Sequence, residues 1–360
     1  MRLAYLWLVS LFSLVAGVVP AATGIHTEKV IGGLTQPWGL GLLDNGDFLV
    51  TERAGRLLYV SNGKAHPVAN LPPVRAKGQG GLLDITIARD FEASREVFLT
   101  LARPGPGGAS TALVVARLSD DARRLDNLRY LFTARPVSSS GRHFGSRVVE
   151  APDGTLFVTL GERGDRPSSQ DLSSHNGSVI RVNRDGTVPA DNPFVSHAGA
   201  LPEIWSYGHR NIQGAALDLN GALIVVEHGA RGGDEINRVR RGANYGWPVI
   251  AYGRHYSGRK IGEGTHKAGM EQPDYYWDPS IAPSGMIVYS GKLWPQWRGH
   301  IFVGSLKFNY ISHLAGDPMA EVGQIKDDTT LRVRDIAEGP DGAIWYISVN
   351  TGAVYRMTPD

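Results

Sequence analysis

The chain has 360 residues, 42% hydrophobic and 20% charged, with 45 Gly, 21 Pro and no Cys. Its formal charge of +2 lacks the basic excess of a nucleic-acid binder. Without Cys there is no disulfide, thiolate zinc site, Fe–S cluster, thioether-linked haem or cysteine nucleophile, so redox chemistry would need a cofactor held by N and O atoms.

Arg2, an apolar run from Leu3 to Val19 and then Pro20-Ala21-Ala22 read as an export signal over residues 1–22, cleaved after Ala21 or Ala22. The run falls short of the ~20 apolar residues of a spanning helix. No second long apolar stretch follows. The expected product is periplasmic or secreted, with no stable membrane insertion once the signal is removed.

Length alone predicts about two domains at roughly 150 residues each. Beyond residue 25, however, one pattern recurs six times. Each copy is a β-rich run, often after a Gly turn, followed by a second β-rich run. The copies are Phe48–Thr51 with Arg56–Val60, Glu96–Leu101 with Ala112–Leu118, and Thr155–Leu160 with Ser178–Val182. Three more follow: Ala222–Val226 with Glu235–Val239, His300–Val303 with Tyr310–Leu314, and Ala343–Ser348 with Ala353–Met357. Asn45-Gly46, Asp153-Gly154, Asn220-Gly221 and Asp341-Gly342 supply turn signals, because Gly accepts a positive φ without steric cost. The short strands are rich in Val, Ile, Leu and aromatics, and long amphipathic helical patterns are scarce. One open sheet of so many strands would expose its edges, whereas radial repetition protects them. The pattern therefore predicts an all-β fold: a single six-bladed β-propeller over residues 23–360, with four-stranded antiparallel blades. In such a fold ligands sit over the channel, and functional residues are scattered along the chain on loops between blades.

Several loops are dense in Gly and polar residues. They include Gly78–Asp84, Gly141–Arg147, Gly161–Asp165, Trp205–Asn211, Glu227–Glu235, Asn244–Pro248, Ser305–Lys307 and Leu331–Asp335. Arg332 and Arg334 alternate, which predicts that they share one face of a strand ahead of the sixth copy. Together Arg210, Lys307, Arg332 and Arg334 make a cationic rim suited to a planar polyanion, since Arg forks bind carboxylates bidentately. His143 titrates in a range useful to a base, and Glu162 follows the next strand as a partner able to orient it. Alone, His143 also reads as an ordinary loop histidine, Lys307 as a surface lysine, and Asp234-Glu235 as turn chemistry or a Ca²⁺ site.

The ordered series of motifs carries a resemblance. It runs from Gln36-Pro37-Trp38-Gly39 through the Gln79 and His143 loops to Glu203–Gly208 with Arg210-Asn211. It continues through Glu227–Trp247 to Lys307 and Arg332-Val333-Arg334-Asp335. The chain resembles the soluble PQQ-dependent sugar dehydrogenases, in the aldose sugar dehydrogenase branch of the glucose/sorbosone dehydrogenase family. The resemblance implies a propeller carrying PQQ (pyrroloquinoline quinone) and Ca²⁺. His143 is implied as the catalytic base, with Gln79, Arg210, Asn211, Tyr256, Lys307, Arg332 and Arg334 as PQQ contacts. The carbonyls of Gly229 and Ala230 are implied as ligands of a Ca²⁺ next to PQQ. Glu235 and the Tyr245 carbonyl are implied as ligands of a second, structural Ca²⁺, and Trp277 as an aromatic near the substrate. Two positions depart from the family's usual pattern: Ala230, where Pro is common, and Glu162, where some relatives have Asp. The implied activity is oxidation of aldose sugars at C1 to lactones, with electrons passed on to a separate acceptor. The competing classes are a Ca²⁺-dependent propeller hydrolase of lactonase type, which has no use for the Arg/Lys rim, and a non-enzymatic binding propeller.

Overall fold

Each of the six copies forms the two middle strands of a four-stranded antiparallel sheet in the computed structural model, which describes residues 24–360. The export signal read at residues 1–22 lies outside the described residues. Blade one comprises Pro37–Leu42, Phe48–Glu52, Arg56–Ser61 and Lys64–Val68. Blade two comprises Leu82–Ile87, Glu96–Gly105, Gly108–Leu118 and Leu125–Thr133. Blade three comprises Val148–Glu150, Leu156–Thr159, Ser178–Val182 and Ile204–Tyr207. Blade four comprises Ile212–Leu217, Leu223–Glu227, Asp234–Arg238 and Tyr275–Trp277. Blade five comprises Pro283–Val288, Ile301–Ser305, Ile311–Ala315 and Ala320–Ile325.

Blade six joins the two ends of the chain. Val333–Glu338, Ile344–Ser348 and Ala353–Pro359 are completed by Ile25–Ile31, which pairs with the last strand from Ile25 opposite Pro359. The ring is thus closed by backbone hydrogen bonds, and the first strand of each blade contacts its counterparts in the neighbouring blades around a central channel. The fold is a six-bladed β-propeller. Among the described residues the only α-helix is the four-residue Phe91–Ser94, and no helix is long and apolar enough to cross a membrane.

Middle strands pack against a neighbouring blade on both faces, so they read as continuous apolar runs rather than as alternation. Phe48–Glu52, Leu223–Glu227 and Ile344–Ser348 are buried at every residue. Six apolar layers result, one between each pair of neighbours. Leu49 and Leu57 meet Leu99 and Val114 between blades one and two, for example, and Phe302 and Ile311 meet Ile344 and Tyr346 between blades five and six. Each such fully buried side chain stabilises the ring by about 1.5–3 kcal/mol.

Candidate active site

Connections in an up-and-down blade alternate between its two ends. The tight turns at Leu43–Asp47, Ala151–Thr155 and Gly339–Ala343 join first to second strands at one end. Loops from second to third strands, and loops between blades, gather at the other. There a cavity of about 1040 Å³ opens over the channel, and the predicted residues Gln79, Asn211, Gly229, Ala230, Tyr256, Lys307, Arg332 and Arg334 line it. The expectation that site residues ride on loops between blades is half right. Glu162, Gly229, Ala230 and Lys307 come from loops inside a blade, and Tyr256 comes from the long excursion between Arg238 and Tyr275.

Arg332 requires a correction. It lies in the turn before the strand that begins at Val333, with φ +56°, so strand alternation does not align it with Arg334. The turn is held by Asn309, whose Oδ1 accepts the Arg332 N–H at 2.9 Å. The two guanidiniums still reach one cavity, because the turn swings Arg332 over its wall.

The His143 loop is fixed from three sides. The backbone N–H of His143 donates to Gln79 Oε1 at 2.6 Å, and the Gly145 N–H donates to Asn211 Oδ1 at 3.2 Å. Below it, Gly161 must be Gly: a Cβ there would stand 2.2 Å from the His143 carbonyl oxygen. His143 Nδ1 lies 2.8 Å from Glu162 Oε1, and the two side chains are 12% and 2% exposed. The extra methylene of Glu over Asp therefore still reaches the ring. Glu162 also accepts the Gly164 N–H. Burial holds the imidazole below its ordinary pKa; Glu162 opposes this and Arg210 adds to it. Burial alone would push the Glu162 carboxyl up, but hydrogen bonds from His143 and Gly164, with Arg210 nearby, hold it below the usual range. His143 is thus a neutral base at neutral pH. Its Nδ1–H points to a carboxylate and Nε2 is left for another partner.

The cavity is electrostatically unfinished. Lys307, Arg332, Arg334 and also Arg53 line it, with Arg210 against its wall, donating from Nη1 to the His228 carbonyl. Among the described residues none of these five cations has a carboxylate within ion-pair distance. Burial, then Arg332 and Arg147, press Arg334 down to about 9. Burial and Arg332 lower Arg53 as well, and Arg210 Nε is buried without a hydrogen-bond partner. Five cations converging without counter-ions call for an anion. In contrast, Arg147 in the channel is fully paired. Its Nη1 lies 2.8 Å from both Asp84 and Asp335, and Asp335 in turn accepts the Leu40 N–H at 2.9 Å.

The carbonyls of Gly229 and Ala230 accept no hydrogen bond from the described residues. A Cβ at Gly229 would sit 2.2 Å from the Gly233 carbonyl oxygen, so the turn packs oxygens against a bare backbone. Deeper in blade four, Glu235 lies directly across from Glu227. Burial, then the Glu227 charge, push Glu235 up to about 8. Tyr245 reaches this region through its ring, stacked 4.5 Å from His209, whose Nδ1 lies 2.8 Å from Glu227. Glu235 and Tyr245 do not line the main cavity. Nor does Trp277, which is 4% exposed in the apolar layer between blades four and five, because it ends a strand whose inward face packs on Ile281 and Met286.

Sequence reasoning missed Arg53, and it quoted Asp84, Arg147 and Asp335 in loop motifs without giving them a role. Arg53 had a positional signal. It follows directly on the second strand of its blade, as Lys307 and Glu162 follow theirs within three residues.

A sequence profile described as Glucose / Sorbosone dehydrogenase matches residues 34–356. The chain belongs to the glucose/sorbosone dehydrogenase family. It is 41% identical to aldose sugar dehydrogenase YliI of Escherichia coli, over 98% of each chain. It is 27% identical to quinoprotein glucose dehydrogenase B of Acinetobacter calcoaceticus, over 90% of this chain and 85% of that one. The apo form of the soluble E. coli aldose sugar dehydrogenase superposes with a TM-score of 0.90, covering 94% of this chain and all of that one. The PQQ-bound aldose sugar dehydrogenase of Streptomyces coelicolor superposes at 0.77 and 25% identity, covering 93% and 98%. The propeller and the cavity thus sit in a family with a quinone-bound member.

Proposed function

We propose that this protein is a PQQ- and Ca²⁺-dependent aldose dehydrogenase that oxidises the C1 position of aldoses to lactones. The observation that carries the reading is the set of five cations without counter-ions around one large cavity, beside a neutral histidine paired with the Glu162 carboxylate. A lactonase-type hydrolase needs the carboxylates but not the cations. The cations suit a flat tricarboxylate: Arg332, Arg334, Lys307 and Arg210 would hold its carboxylates and Asn211 its edge, with Gln79 and Tyr256 bordering it. The carbonyls of Gly229 and Ala230 suit Ca²⁺, which takes oxygen ligands, and Glu235 with the Tyr245 carbonyl suits a second ion. No three His, Asp or Glu side chains converge as a metal site among the described residues, so such ions would draw largely on carbonyl oxygens.

When bound, PQQ supplies an ortho-quinone that accepts the two electrons of the sugar as hydride, with Ca²⁺ as its Lewis acid. The chain's own residues handle the proton. His143 Nε2 accepts it from the C1 hydroxyl while Nδ1–H stays on Glu162, whose charge offsets the imidazolium that forms. Gln79 keeps the His143 backbone in place. An export signal at residues 1–22 fits a periplasmic or secreted enzyme that passes its electrons to a separate acceptor.

The direct test is to add PQQ and Ca²⁺ to the apo protein, supply a panel of aldoses and follow dye reduction. Reduction that depends on both additions is expected, and none across the panel would refute the reading. In the same assay Lys307→Ala and Arg332→Ala should weaken PQQ binding about 10-fold or more each, the scale of one lost charge-assisted contact. Unchanged titration curves would remove both from the cofactor set.

A pH profile tests the base. Because the folded pKa of His143 is depressed, the imidazole stays neutral below the ordinary value of ~6.5, so the acid limb of kcat/KM should lie below that pH. Glu162→Gln removes the group that raises this pKa, so the limb should move further down while kcat falls. A limb that moves up, or stays put, contradicts the pairing.

A further inference from the structure

A second group of cations rings the mouth of the central cavity, beyond the five already described. Arg142 precedes His143, Arg166 sits in the short turn after Glu162, and Arg231 follows Ala230 at the cavity edge. Arg254, Arg259 and Lys260 ride on a hairpin of the long excursion in blade four. That hairpin is fixed to the cavity wall: the Arg231 N–H donates to the Arg254 carbonyl at 2.9 Å, and the Arg254 N–H returns the bond at 3.0 Å. Its tip is closed by the His255 N–H on the Arg259 carbonyl and the Gly258 N–H on the His255 carbonyl, both at 2.8 Å. The Arg166 guanidinium lies 3.0 and 3.2 Å from the two His255 ring nitrogens, which ties the hairpin to the loop that carries Glu162. Tyr256, beside His255, is 73% exposed and borders the cavity.

Among the described residues none of these six cations has a carboxylate within ion-pair distance. Asp165 is next to Arg166 in the chain and Asp278 lines the same cavity as Arg231, yet neither pairs with them. Glu263 is taken by Lys267. The opposite end of the ring is built differently: there Arg181, Arg238 and Arg356 pair with Asp153, Asp218 and Asp341 of the tight turns. A chain whose net charge is only +2 thus surrounds one opening with six unpaired cations. We propose that this rim docks an acidic protein that carries one electron at a time, an inference that rests on the aldose dehydrogenase reading. Oxidation of one aldose to its lactone releases two electrons and two protons. The electrons leave by the same mouth in two encounters with the carrier, each reducing it by one electron, and the protons pass to water. Positive charge on the rim draws an acidic face to the opening and raises the encounter rate. The six cations are spread over three loops and a hairpin, which suits a protein surface rather than one small anion. Tyr and Arg, the side chains exposed here, are also types enriched at protein interfaces.

Lysine-rich cytochrome c and its succinylated form, whose lysines carry carboxylates instead, present one haem behind opposite charges. The reconstituted enzyme, oxidising an aldose at low salt, should reduce the succinylated form about tenfold faster or more, the lower end of electrostatic steering. The advantage should vanish near ~1 M salt, where the screening length is only ~3 Å. The triple variant Arg254→Glu, Arg259→Glu, Lys260→Glu should lose the preference, while oxidation with uncharged benzoquinone stays at the wild-type rate. The corresponding triple Gln variant serves if the Glu variant does not fold, with a smaller loss expected. The apo protein gives a second readout without turnover: by calorimetry at low salt it should bind the succinylated cytochrome, and the triple variant should not. Equal rates with both cytochromes, or a triple variant that still prefers the acidic one, overturn the proposal. So does an apo protein that binds phosphatidylglycerol vesicles but not the acidic cytochrome, which would assign the rim to a membrane surface. Absence of aldose oxidation with benzoquinone strikes instead at the dehydrogenase reading, and the calorimetry still judges the rim.

Discussion

His143→Gln should cut kcat by about 10²–10⁴-fold, the usual contribution of a positioned general base, while PQQ still binds. Gln fills much the same volume and can still hydrogen-bond to Glu162, so the His143 loop keeps its supports from Gln79, Asn211 and Gly161. What is lost is the lone pair at Nε2. Steady-state kinetics on the PQQ-saturated variant, with the cofactor's absorbance confirming occupancy, separate a chemical defect from a binding defect. Wild-type turnover with bound PQQ would remove His143 from the mechanism. The comparison with Glu162→Gln is informative: that variant keeps a base but loses its carboxylate partner, so its loss should be the smaller.

The second large effect concerns stability rather than chemistry. Arg147→Met should destabilise the ring by about 3–5 kcal/mol, because it strands two buried carboxylates that the guanidinium now pairs at 2.8 Å. The same side chain lies 4.3 Å over the Trp38 ring and donates from Nε to the Gln213 carbonyl at 2.7 Å, so one residue ties blades one, two, three, four and six together at the channel. Burial raises the pKa of both Asp84 and Asp335 even in the wild type, against the pull of Arg147. Without the cation those pKa values rise further. Folded carboxylates with raised pKa values bind more protons than unfolded ones, so the variant should regain stability as pH falls through them. Denaturant midpoints at neutral and mildly acidic pH check both parts. An unchanged midpoint at neutral pH would mean that the triad does not brace the channel.

The middle strands were legible in the sequence because they are the most buried part of each blade. An apolar run flanked by a Gly turn leaves a local trace wherever it lies, and all six copies fall on second and third strands. The first and last strands left a fainter one. Five of the six first strands carry a register shift near their start, as at Pro37/Leu40 and Val333/Asp335, which breaks the period-two pattern. The outer strand Ala320–Ile325 is half exposed and mixes Glu321 and Gln324 with apolar residues, so no continuous apolar run marks it. Arg332 shows the same limit: its neighbour at Val333 is in a strand, but a left-handed turn one residue earlier is set by Asn309, which is 23 residues away.

The sequence by itself determined the number of blades, marked His143 as the candidate base and named four of the five cations that converge on the cavity, Arg210, Lys307, Arg332 and Arg334. Each of these leaves a mark within a few neighbouring residues: a turn, an apolar run, a charge after a strand. Only the tertiary structure decided which charges are neutralised and which are not. Arg147 and Arg334 look alike in sequence, yet one is paired with Asp84 and Asp335 and the other shares a cavity with Arg332 and no carboxylate partner among the described residues. Closure of the ring makes that difference, since it brings together residues from blades two, three and six that lie as far as 251 positions apart in the chain. Coulomb energy depends on distance in space and on local burial, and neither can be read along a chain.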